Sequence, residues 1–270
     1  MSNSLSSNLI KAMAGDYRLP IKAILVEAWR RLNGLKITFW GGFALLFLTM
    51  FIVCILLSLV VALYIFFVMY PHNVTSSSTG ELGLLYSALN FILVGILEIL
   101  RLLLTASLAY LALHHLRNQP IWANMVFSFR KAWQPLLVVG VMLYLMDALL
   151  LSGSNFLLYH YQLTPQIFYL GFGLRFILFA LLYTYITIGF FMTILLILDQ
   201  QLTLKSSLSI AFNSINQHLV KNIGLIIVTS FGCVLLTLLT LGIGLIWLLP
   251  MVSLVTAIQY NQIFCQGNLA

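Results

Sequence analysis

Six apolar runs dominate the chain, near residues 37–70, 82–113, 135–151, 166–198, 223–241 and 245–264. A helix needs about 20 such residues to cross the hydrocarbon core of a bilayer. No water-facing shell can be built around so much apolar chain. Of the 270 residues 62% are hydrophobic and only 7% are charged, where a soluble domain carries about a quarter charged. Soluble globular, disordered, disulfide-scaffold and nucleic-acid-binding classes are thereby excluded. An all-α membrane protein with six transmembrane helices is expected.

The first, second and fourth runs exceed thirty residues and must tilt, kink or project beyond the hydrocarbon. The third is short and is marked at its start by Pro135, a good first-turn residue. The fifth and sixth are joined by Leu241-Gly242-Ile243-Gly244 and read as a tight hairpin.

The basic residues set the expected orientation. Eleven of the thirteen fall in the segments before the first run, between the second and third, and between the fourth and fifth. The opposite loops, Pro71–Glu81 and Ser152–Pro165, hold none. By the positive-inside rule the protein is expected to be multi-pass in a cell inner membrane with both termini cytoplasmic. The net charge of +7 is then a topology signal, and nucleic acid is not among the expected partners. Those partners are the lipid bilayer and other membrane proteins. Trp29, Trp40, Trp122 and Trp133 fall near the expected inner interface, and Tyr64, Tyr70, Tyr86 and Tyr169 near the outer one, as an aromatic belt does.

Residues 1–20 lack the apolar core of a cleavable signal peptide and are expected to be a polar tail ahead of one membrane domain, 21–270. The chain's end, CQGNLA, is not a prenylation motif. Asn73-Val74-Thr75 matches a glycosylation sequon, but so short a pattern arises by chance.

Three cytoplasmic segments share a character. Ile21–Lys36, Ile121–Trp133 and Ser206–Lys221 each place apolar residues at the 3.6-residue period of an amphipathic helix. Each stands directly before an inward-to-outward run. The expected architecture is three parallel repeats of an interfacial amphipathic helix plus a transmembrane hairpin, about 21–113, 121–198 and 206–264. The competing reading is that any segment at an inner interface tends to be amphipathic.

Four charges fall inside apolar runs: Glu98, Arg101, Asp147 and Arg175. Glu98 and Arg101 are three apart on one helix and can pair directly. Asp147 and Arg175 are at compatible depths on either side of a short outer loop. Such charges mark either a pathway or neutralised pairs that fix helix packing, and packing is the favoured reading. Cys54, Cys233 and Cys265 form no spacing pattern, and His72, His114, His115, His160 and His218 give no ligand pair, so neither a metal site nor any cofactor is expected. Catalytic motifs such as G-x-S-x-G, H-E-x-x-H or a P-loop are absent, and an enzyme is not expected. Gly41-Gly42, Gly140, Gly171-Phe172-Gly173 and Gly189 read as small-residue contacts between helices.

Residues 194–201, ILLILDQQ, followed by the helix Leu204–His218 and Asn222-Ile223-Gly224, resemble the YciC-like bacterial inner-membrane proteins. The ending Gly242–Pro250, with Tyr260 and Phe264 after it, is similar to the last hairpin of that loose superfamily, which includes the membrane domain fused to some glycerophosphodiester phosphodiesterases. The resemblance is strong over about 70 residues and weaker across the repeat. It implies a bacterial six-helix membrane protein and supplies no catalytic residue. A non-catalytic component or scaffold in envelope or lipid processes is the leading functional expectation. A transporter of a small solute or lipid that uses the intramembrane charges is the alternative.

Overall fold

A computed structural model describes residues 6–64, 79–160 and 165–265. The side chains at 61, 64, 79–90, 131, 147, 150–160 and 165–179 lie outside that description. The described residues form eight α-helices and no strand. These are α1 (Ser7–Ala14), α2 (Ile21–Tyr64), α3 (Thr79–Leu116), α4 (Trp133–His160), α5 (Pro165–Gln200), α6 (Leu204–Gln217), α7 (Leu219–Leu239) and α8 (Leu245–Tyr260). A 3-10 helix spans Ala123–Ala132, and a π-helical turn, Asn261–Cys265, closes the described chain. By length and composition five helices among the described residues can cross a membrane, or six if the 3-10 helix and α4 are one bent span.

The six apolar runs become α2, α3, α4, α5, α7 and α8, and the rest of the reading needs four corrections. The first amphipathic segment is not a separate interfacial helix, because α2 runs unbroken for 44 residues, about 66 Å at 1.5 Å per residue. Nothing between Lys36 and Ile37 can stop a helix, and the glycines nearby are used for close approach instead. A Cβ at Gly42 would stand 2.7 Å from Val126 Cγ1, so this glycine lets the 3-10 helix seat closely against α2. The outer loop expected at 152–165 is mostly helix, since α4 runs to His160 and α5 starts at Pro165.

The second amphipathic segment is a 3-10 helix rather than an α-helix. Val126 is buried, with Phe129 and Ala132 packed against the core. Their spacing of three matches the three-residue turn, in which such side chains stack in one row. Trp122 and Trp133, expected near the inner interface, are exposed. The 3-10 helix meets α4 at 85°, and Pro135 sits in the first turn of α4, where its missing N–H costs nothing.

Residues 7–14, expected to be polar tail, form α1. Gly15 ends it with φ 78°. Its N–H bonds Ala12 O at 3.1 Å and the Asp16 N–H bonds Lys11 O at 2.9 Å, a Schellman closure that glycine adopts without strain. Leu9 and Ala12 are buried against α6 and the chain's end.

The core lies toward one end. Ile24, Ala28, Leu32, Leu35, Phe39 and Leu46 make a continuous buried stripe on α2 at helical spacing, facing α3 and α8. Among the described residues no α2 side chain beyond Leu46 is buried. A second cluster joins α3, α4 and α5 through Leu103, Leu136, Val139 and Ile194.

Candidate functional site

The acids show where the chain has kept charge. Asp199 is the penultimate residue of α5, after a long apolar stretch that delivers it to the packed end. Arg117 follows the last residue of α3. The guanidinium grips the carboxylate with two bonds, Nη1 to Oδ1 at 2.6 Å and Nη2 to Oδ2 at 2.9 Å. Such a bidentate fork is the strongest form of ion pair a protein builds. Tyr260, at the end of α8, donates its hydroxyl to Asp199 Oδ2 at 2.9 Å. Arg117 Nη2 also lies 3.1 Å from Cys265 Sγ. The carboxylate therefore joins the ends of α3, α5 and α8, three elements far apart in sequence. It also holds the Arg117 guanidinium in its charged form even more firmly than usual.

A second network starts from the neighbouring residue on α8. Gln259 Nε2 donates to Asn222 Oδ1 at 2.9 Å, and Asn222 Nδ2 donates to Ile215 O at 3.1 Å. Asn222 Nδ2 also approaches Tyr17 Oη at 3.4 Å, and Tyr17 donates to Ser214 O at 2.6 Å. Asn222 and Gln259 are fully buried polar side chains, so these bonds offset a desolvation that would otherwise be unfavourable. Burial pushes the Tyr17 phenol above its ordinary pKa, which keeps it a donor. His218 extends the set, its Nε2 standing 3.0 Å from Gly15 O with its ring edge-on to Tyr17.

A third contact ties α2 to α3. Glu27 is buried and paired with Arg31 and, at 2.7 Å, with Arg30. Arg31 Nη1 donates to Leu116 O at 2.7 Å, and His115 Nε2 stands 3.1 Å from Arg31 O. Both histidine contacts are to backbone carbonyls, so in each the ring nitrogen is the donor.

The four charges singled out from sequence fare differently. Glu98 and Arg101 do pair, Nε to Oε2 at 2.6 Å, but their side chains are 38% and 58% exposed on the bundle surface, near the middle of the apolar run of α3. The side chains of Asp147 and Arg175 lie outside the described residues. Arg117, Asp199 and Tyr260 were not among the candidates. Arg117 reads as one more inner-side charge, and its partner is 82 residues away. The usable signal was scarcity. With only six acids in the chain, one ending an apolar run needs a partner.

The arrangement can hold helix ends together. Among the described residues no group of three His, Cys, Asp or Glu side chains could hold a metal ion. No family model, curated protein or solved structure matches this chain.

The exposed pair gives a first expected outcome. Glu98→Leu leaves Arg101 alone on an apolar surface. A charge in mid-membrane costs about 2.5–3.5 kcal/mol on insertion scales, and snorkelling by the long arginine should reduce that to about 1–2 kcal/mol. The single variant should therefore give less folded protein in the membrane, and Glu98→Leu with Arg101→Leu should recover it. Full recovery of yield in the single variant would show that the pair does not serve packing.

Proposed function

We propose that this protein is a non-catalytic multi-pass component of a bacterial inner membrane, acting as a scaffold in envelope or lipid processes. Its working surface is the packed, basic end, which faces the cytoplasm with both termini. One observation carries the reading: Glu27, Glu98 and Asp199 are each bonded to an arginine of the same chain. Arg117–Asp199 joins the ends of two helices and Arg31 reaches α3 through Leu116 O, and a carboxylate that has its cation has little left to offer a passing solute. The basic flank of the same end, with Lys22, Arg30 and Lys205, suits an anionic lipid surface. A looser threefold repeat belongs to this proposal, an amphipathic segment leading into a pair of apolar helices, supported by the common position of the amphipathic segments; so does the kinship with YciC-like proteins, supported by the residues quoted above.

The orientation is tested with single cysteines in a background lacking the native three. An impermeant maleimide added outside intact cells should modify Ser77→Cys and should reach Ser206→Cys only after permeabilisation. Modification of Ser206→Cys in intact cells would overturn the cytoplasmic assignment.

A further inference from the structure

The α7–α8 hairpin lies along the inner half of α2 and stops there. At its base, Gly224 faces Ile21 at the start of α2. At its tip, just past the turn, Ile246 O accepts a 3.0 Å bond from Trp40 Nε1. Lys36 Nζ stands 5.6 Å from the ring centroid of Trp247. The turn is thus level with residues 36–40 of α2. Beyond Trp40, α2 continues to Tyr64, about 36 Å further at 1.5 Å per residue, enough alone to cross a core of about 30 Å.

No charged residue occurs between Ile37 and Tyr64, and Phe47, Phe51, Ile55 and Leu59 are exposed along that length. This upper part of α2 belongs in the hydrocarbon. Lys36 and Trp40 then mark its near surface, where lysine and tryptophan concentrate. A hairpin whose tip ends at that level does not reach the far surface.

The tip is nonetheless built for lipid. Leu238, Leu239, Leu241 and Ile243 are exposed, Leu241 to 92%. Its backbone is also closed on itself. The N–H groups of residues 240, 241, 242, 243 and 245 bond carbonyls of the turn or of the last turn of α7, at 2.8–3.2 Å. The remaining one, of Gly244, bonds Thr240 Oγ1 at 2.8 Å. Water would satisfy such groups without help, whereas hydrocarbon tolerates a turn only when its polar backbone is paired.

We propose that α7–α8 is a re-entrant hairpin, its turn seated at the boundary between headgroups and acyl chains in the leaflet nearest Lys36 and returning to the same side. The ligand of this surface is lipid: acyl chains around Leu241, with the Lys36 ammonium at headgroup depth beside Trp247. That leaflet is the cytoplasmic one on the orientation proposed above, but the re-entrance does not depend on which side is named.

The test places cysteines at Ile243 and, separately, at Leu239, with Ser77→Cys and Ser206→Cys as markers of the two faces. In reconstituted vesicles, impermeant maleimide on the Ser77 side should label Ile243→Cys and Leu239→Cys at least about tenfold more slowly than Ser77→Cys, because the turn stays in or beyond the near leaflet. A spin label at either position should collide more with oxygen than with a water-soluble nickel chelate, and sit shallower than a label at Phe51 measured from the Lys36 side. Labelling from the Ser77 side at the rate of Ser77→Cys itself would show a full crossing and overturn the proposal. So would nickel access equal to that at Ser206→Cys, which would place the tip in water. An exchange of sides between Ser77 and Ser206 would refute the orientation alone.

Discussion

Arg117→Leu should be among the most damaging single substitutions in the chain. It leaves Asp199, whose side chain is only 11% exposed, with the Tyr260 hydroxyl as its remaining bonded partner. Removing one member of a buried pair costs about 3–5 kcal/mol. The lower end applies here, because Arg117 itself is 27% exposed and some solvent reaches the site. Against a total stability of about 5–15 kcal/mol that loss is large. Heating in mild detergent, followed by counting the monodisperse fraction, should show a clearly lower midpoint. Tyr260→Phe removes one hydrogen bond to a charged group and keeps the ring packing on Phe264, so it should cost about 1.5–3 kcal/mol, less than the loss of the arginine.

The second large effect is steric. Gly189 lies on α5 under the ring of Phe212 from α6, and even a Cβ there would collide with that ring. Phe212 is half-buried and also meets Tyr185 and Phe190 edge-on, at 5.6 and 5.8 Å, so its ring is hemmed in on those sides. Overpacking of this kind costs about 1–3 kcal/mol and occasionally more, and Gly189→Leu should reach the upper end by lifting α6 from α5. Protease cleavage within 204–217 should then rise sharply. Phe212→Ala in the same chain should restore protection in part, because the space it vacates admits the leucine. Unchanged cleavage in the single variant would mean that α6 is not held through this contact.

What could be read from the sequence follows from what is local. The apolar runs mark all six long helices, because insertion into lipid leaves the backbone no alternative to helix. Glu98 and Arg101 are legible as a pair because three residues of helix bring them together. The Ile24–Ala28–Leu32–Leu35 stripe is visible as helical spacing. Its continuity into the apolar run is not, since a change from amphipathic to uniformly apolar chain resembles a boundary and here is only a change of surroundings. The short helix α1 hides in a polar segment whose one clear mark is Gly15. The clamp is non-local throughout: Arg117, Asp199 and Tyr260 come from three helix ends, and only packing decides that they meet. The level of the α7–α8 turn is equally hidden. Length and hydropathy qualify both helices as spans, and only the Trp40 and Lys36 contacts place their tip.

The account rests on the claim that charges kept in this apolar chain bind helices together. The most direct measurement is a double-mutant cycle between Arg117 and Asp199, using Arg117→Leu, Asp199→Leu and the double variant, with unfolding followed in one detergent. Each single variant should be destabilised, and the double should recover much of the loss, a coupling of about 2 kcal/mol or more, since two apolar side chains can replace a buried pair at little cost. Additive losses, or single variants as stable as the parent, would contradict it.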